Sequence, residues 1–252
     1  MIAKYFEINQ NGHNVRCKLY CGDLKRIARV VVFGHGFGGH KDNGAAEKFA
    51  ERLTSKHKDT AMVTFNWPSH GDDVKKRICL ADCDTYLRMV LEYVFEELSA
   101  TEVYGYATSF GGYLFLKYIA EHGNPFRKAA LRCPAVNMYE VLTSAIMTEE
   151  NFAQLRKGED AAVGFDRKIM VGQAFLDELQ ANDVQKSDDL AYADALLILH
   201  GTEDEIVPFD AGKRFAENHV VEFVPVTGAD HRFQDPKHMD TAIQTILDFY
   251  EL

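Results

Sequence analysis

Val103-Tyr104-Gly105-Tyr106-Ala107-Thr108-Ser109-Phe110-Gly111-Gly112-Tyr113 is the stretch on which the reading of this chain turns. It begins as a short apolar strand, reaches a serine, and continues with the pattern of a helix. Small residues stand two before the serine (Ala107) and two after it (Gly111). A tight strand-to-helix turn puts the central residue in a strained backbone and crowds its neighbours, so small side chains are required there. The hydroxyl is then held at a helix N-terminus, where the dipole favours a developing oxyanion. A serine that only caps a helix needs no small residue on either side. Ser109 is therefore the candidate nucleophile.

Outward from this turn, short apolar segments recur at 30–33, 61–65, 129–131 and 196–199, with one more near 220–224. Segments of this kind read as parallel strands buried on both faces. Helical patterns lie between them at about 44–57, 82–98, 109–122 and 208–218. A last helix near 236–251 starts at Pro236 and places Met239, Ile243, Ile246, Leu247 and Tyr250 on one side. The opening residues alternate on either side of Asn11-Gly12, the signature of an antiparallel hairpin at a sheet edge. The expected fold class is α/β, a mostly parallel sheet flanked by helices, in a single domain spanning 1–252. Ligands of such sheets sit at the carboxyl ends of the strands. From about Pro134 to Leu190 no buried strand is apparent, yet apolar residues are too many for disorder. This segment is expected to form a small helical cap, inserted between the sixth and seventh strands.

A serine needs a histidine to take its proton and an acid to orient that histidine. Of ten histidines, His231 lies in a loop between the last strand and the last helix, in the chain order serine, acid, histidine. His200 and His219 end elements and read as structural. His35, His40 and His70 precede the serine. The acid is sought in Gly201-Thr202-Glu203-Asp204-Glu205, where charge alone does not rank the three carboxylates. Phe33-Gly34-His35-Gly36-Phe37-Gly38-Gly39-His40 ends an early strand, and its glycines free backbone N–H groups to point inward. The backbone amides of Phe37 and Phe110 are the expected oxyanion-hole donors, with His35 bracing the loop. Ser69, in Trp67-Pro68-Ser69-His70-Gly71, is a decoy, because a loop and not a helix follows it.

The chain has 252 residues and a formal net charge of −10, which disfavours sequence-independent binding to nucleic acid. It also disfavours docking on an anionic membrane. No run of about 18 apolar residues exists, and the N-terminus lacks a signal-peptide pattern. Five cysteines without zinc-finger spacing read as reduced thiols in a cytoplasmic protein with no metal.

These motifs together resemble the α/β-hydrolase superfamily over nearly the whole chain. Within it the chain is similar to small capped carboxylesterases that include cinnamoyl (feruloyl) esterases. Monoacylglycerol lipases and the serine aminopeptidase group are close relatives. His35-Gly36-Phe37 matches the oxyanion loop, and Thr108-Ser109-Phe110-Gly111-Gly112 matches the elbow, with Ala107 where glycine is usual. The register of the acid loop against Val207-Pro208 selects Asp204, and Gly228-Ala229-Asp230-His231 matches the histidine loop. The turn after 61–65 departs from the family's pattern, and Trp67 there reads as packing. The resemblance implies a serine esterase acting on short-chain or aryl (hydroxycinnamoyl) esters through an acyl-enzyme, with no cofactor. A small-molecule ester is the expected partner, and a homodimer is compatible with the sequence. Lipase, thioesterase or peptidase activity on the same triad, or a ligand-sensing protein without turnover, are the alternatives.

Overall fold

The structure, a computed structural model, describes residues 1–187 and 193–252. The chain opens with the expected hairpin, β1 (Ile2–Gln10) and β2 (His13–Cys21), closed by Asn11 and Gly12 at φ 49° and 82°. Two successive positive φ values are what a two-residue hairpin turn requires. The chain then alternates. β3 (Arg29–Gly34) leads to α1 (Gly44–Lys56), β4 (Thr60–Phe65) to α2 (Leu80–Glu96), and β5 (Glu102–Thr108) to α3 (Phe110–His122). After β6 (Ala129–Arg132) come α4 (Met138–Val141), continued by a π-helical turn at 142–146, and α5 (Glu149–Arg156). A hairpin of β7 (Ala161–Val163) and β8 (Ile169–Val171) and then α6 (Gln173–Ala181) follow. The sheet resumes with β9 (Leu196–Gly201), α7 (Phe209–His219), β10 (Glu222–Val226) and α8 (Pro236–Tyr250).

Eight strands form one sheet in the order β1-β2-β4-β3-β5-β6-β9-β10. Only β2 runs against its neighbours; the pairs from β4 through β10 are all parallel. The α/β-hydrolase architecture expected from the motifs is thus present. Alternate residues of each central strand serve opposite faces. Val30, Val32, Leu196 and Ile198 join the core under α2, α3 and α7. Val31, Phe33, Leu197 and Leu199 join the core under α1 and α8. Two-sided burial explains the unbroken apolar runs.

Helix ends carry local signals. Asn43 accepts from the Ala45 and Ala46 amides to start α1, and Asp235 caps α8 immediately before Pro236. The apolar stripe of α8 is buried as expected.

Two expectations need revision. The segment after β6 is not wholly helical, because it contains the β7–β8 hairpin. Each of those strands has three residues in a buried–exposed–buried pattern, too short to register as a periodic signal. The last strand starts at Glu222, because Val220, 83% exposed, ends α7 in a left-handed conformation (φ 58°). The end of the cap expected at 190 lies outside the described residues. Among the described residues no helix is long and apolar enough to cross a membrane.

Candidate active site

Ser109 has φ 52° and ψ −117°, outside the regions that a non-glycine residue normally adopts. Holding such a residue costs on the order of 1–3 kcal/mol, which the surroundings must impose. They do so through hydrogen bonds on both sides. The Ser109 amide donates to the Arg132 carbonyl at 3.0 Å, and the Ser109 carbonyl accepts from Tyr113 and Ala135 at 3.1 Å each. Steric fit explains the glycine two residues on. A Cβ at Gly111 would lie 2.3 Å from the Gly34 carbonyl oxygen, so the elbow approaches β3 only with glycine at that position. Ala107 is wholly buried in β5, paired with Gly34 and Leu131.

The acid loop follows β9, and Asp204 is the carboxylate that turns inward. Its Oδ1 accepts from the Ile206 and Val207 amides at 2.9 and 2.8 Å, while Oδ2 accepts from His231 Nδ1 at 2.7 Å. Glu203 and Glu205 are exposed, and Glu205 accepts from the His231 backbone amide. Burial by itself would raise the Asp204 carboxyl. Hydrogen bonds from His200, His231 and the Val207 amide outweigh it and hold the group far below the ordinary carboxylate range. A carboxylate there places the His231 proton on Nδ1, leaving Nε2 as an acceptor.

Ser109 and His231 line one cleft of about 420 Å³ at the carboxyl ends of the strands. Gly36 to His40 form one wall, and Ile146, Phe165 and Arg167 of the cap segment form another. Among the described residues no hydrogen bond joins Ser109 Oγ to His231; bonds of this kind often tighten only when substrate arrives. The Phe37 amide also has no acceptor among the described residues. The Phe110 amide is the first of α3 and has no intrahelical partner. Their rings pack edge to face at 5.7 Å, which ties the loop after β3 to the elbow.

His35 braces this loop from below. Its Nδ1 faces the Gly36 carbonyl at 2.9 Å and its Nε2 accepts from the Trp67 amide at 3.2 Å. Trp67 is fully buried and donates through Nε1 to the His35 carbonyl, so it packs beneath the loop and does not line the cleft. Ser69 sits in a turn at φ 66° and contributes nothing to the cleft.

The residue underrated by sequence is His200. It is wholly buried, with Nε2 3.1 Å from the Val207 carbonyl and 3.2 Å from Asp204 Oδ2. Its position at a strand end, four residues before Asp204, was the available signal. Among the described residues, the Cys133 thiol, His200 and Asp204 lie within 4.8 Å of one another and form a cluster of metal-ligand types beside the cleft. They already serve one another and the backbone: both Asp204 oxygens are taken by the Ile206 and Val207 amides and by His231, and His200 Nε2 faces the Val207 carbonyl.

The family model of the prolyl oligopeptidase family matches residues 60–252. A search of curated protein sequences returned no match. Among solved structures, Est1E from Butyrivibrio proteoclasticus with ferulic acid bound superposes with a TM-score of 0.78 at 18% identity. The match covers 98% of this chain and 100% of that one. A monoacylglycerol lipase from Paleococcus ferrophilus gives 0.65 at 18% identity, covering 93% and 97%. The mouse alpha/beta hydrolase domain-containing protein 10 gives 0.66 at 16% identity, covering 98% of each chain. At these identities the superpositions speak for the fold, while the family match runs from β4 through the elbow, the acid loop and the histidine loop to the C-terminus. With the α/β-hydrolase fold around those three loops, this chain belongs to the prolyl oligopeptidase family.

Proposed function

We propose that the chain hydrolyses carboxylic esters through an acyl-enzyme formed on Ser109. The observation that carries this reading is the Asp204–His231 hydrogen bond of 2.7 Å, opening on the same cleft as a serine in a strained elbow. His231 Nε2 takes the Ser109 proton as Oγ attacks the ester carbonyl. The Phe37 and Phe110 amides receive the oxyanion, and the proton passes to the departing alkoxide as the C–O bond breaks. Water, deprotonated by the same imidazole, then releases the acid and restores Ser109. None of these steps calls for a cofactor. Short-chain or aryl esters, including hydroxycinnamoyl esters, are the substrates that the sequence resemblance and the likeness to Est1E favour.

A peptidase reading of the same residues draws support from the prolyl oligopeptidase family match. A panel of p-nitrophenyl esters beside proline p-nitroanilides separates the two. The expected outcome is ester turnover that Ser109→Ala abolishes, with anilides cleaved far more slowly. Anilide turnover exceeding that of every ester would favour the peptidase, and undiminished ester turnover in the variant would remove Ser109 from the mechanism.

A further inference from the structure

The walls of the cleft do not share the charge of the protein. The chain carries 38 acidic residues against 28 lysines and arginines. The cleft is lined by Arg132, Arg167 and Arg232, with Asp166 as the single carboxylate among the described residues that line it. Asp166 pairs with Arg232 at 3.8 Å in an exposed ion pair, so the described lining keeps an excess of positive charge carried by Arg132 and Arg167.

Arg132 is the most telling of the three. It ends β6 beside the elbow and is only 6% exposed, yet among the described residues no carboxylate pairs with it. Its Nε is buried without a hydrogen-bond partner. One terminal nitrogen reaches only the Arg232 carbonyl and the Met239 sulfur, both at 3.5 Å, and the guanidinium lies 5.0 Å from the Phe233 ring centre. A buried guanidinium without a counter-charge is costly. Arg167 and Arg232 bring their charges to the cleft from the cap hairpin and from the histidine loop, so three separate elements converge. The Arg167 charge is felt at His40, which burial lowers and Arg167 lowers further, against the opposing charges of Asp42 and Asp72. The first turn of α1, at Gly44 and Ala45, adds the positive end of a helix dipole to the same rim.

We infer that the cleft selects esters that carry a carboxylate or other anionic group, held by Arg132, Arg167 and Arg232 while the ester carbonyl lies at Ser109. This deepens the proposed ester hydrolysis and rests on it. The charged group takes no part in the bond changes; it orients the substrate and raises its local concentration.

The test compares probes that differ by one charge. On the acyl side these are the mono-p-nitrophenyl ester of adipic acid and its methyl-capped form. On the alcohol side they are acetoxybenzoate and its methyl ester. In one arm or the other, kcat/KM for the charged probe should exceed that for the neutral one by about tenfold or more at low salt, narrowing toward parity at about 1 M salt. Arg167→Gln and Arg232→Gln should each shrink that ratio several-fold. Both are exposed positions, so the variants are expected to fold. Binding is read separately by calorimetry on Ser109→Ala, which cannot turn the esters over, with monomethyl adipate and dimethyl adipate, the anion expected to bind about tenfold tighter. Equal kcat/KM values in both arms, with neutral esters still hydrolysed, would overturn the subsite and leave the esterase reading intact. If no ester is turned over at all, the esterase reading fails, and calorimetry still decides whether the cleft prefers the anion.

Discussion

Replacing Asp204 by asparagine keeps the size of the side chain and removes one acceptor. In the native chain Oδ1 is held by the Ile206 and Val207 amides, while Oδ2 faces His231 Nδ1. Asparagine has one carbonyl oxygen, and the two backbone donors claim it. The NH₂ group must then face His231, which can meet it only by presenting a lone pair at Nδ1. The imidazole proton moves to Nε2, where it blocks acceptance of the Ser109 proton. His200 is left with the Val207 carbonyl as its partner, so little of the fold is disturbed. A wrong tautomer in a triad of this kind costs on the order of 10⁴ in kcat, or about 5.5 kcal/mol. The assay is kcat for p-nitrophenyl acetate, with a thermal melt to show that Asp204→Asn is folded. A folded variant with kcat within about tenfold of the native value would refute the assignment of Asp204 as the orienting acid.

Other perturbations test separate parts of the account. Gly111→Ala should abolish turnover and destabilise the fold by about 1–3 kcal/mol in urea unfolding, because its Cβ meets β3 backbone at 2.3 Å; a native-like melt would show that the elbow has room. Ser69→Ala should leave turnover within about twofold and not lower stability, since its buried Oγ makes no hydrogen bond. Any large loss of activity in that variant would reopen the loop after β4 as a reactive element. Burial lowers His70 from the ordinary 6.5 to about 4. The unfolded chain therefore binds a proton below pH 6.5 that the folded chain refuses until about pH 4. Stability is full above that window and falls as pH drops through it, by about 3 kcal/mol from His70. His70→Phe should shrink the difference between urea midpoints at pH 7 and about pH 4.5, and an unchanged difference would contradict the assignment.

Much of the molecule was legible in its sequence because the strong signals there are local. The apolar runs of β3, β4, β5, β6 and β9 are buried on both faces, so burial overrides any alternation and leaves an unmistakable pattern. The elbow was legible because Gly111 answers to a steric demand that can be stated in advance. Asp204 was different. Its neighbours Glu203 and Glu205 carry the same charge, and only backbone curvature after β9 decides which carboxylate turns inward. The β7–β8 hairpin was illegible because three residues cannot show a period. The arginines of the cleft come from β6, the cap and the histidine loop, so nothing local in the sequence marks them as neighbours.

The central claim is that Ser109 is the nucleophile, and covalent capture tests it most directly. A fluorophosphonate probe added to the native protein, followed by digestion and mass spectrometry, should place the adduct on the peptide containing Ser109, in proportion to lost esterase activity. Ser109→Ala should take up none. Labelling of another residue, or undiminished labelling in the variant, would contradict the account.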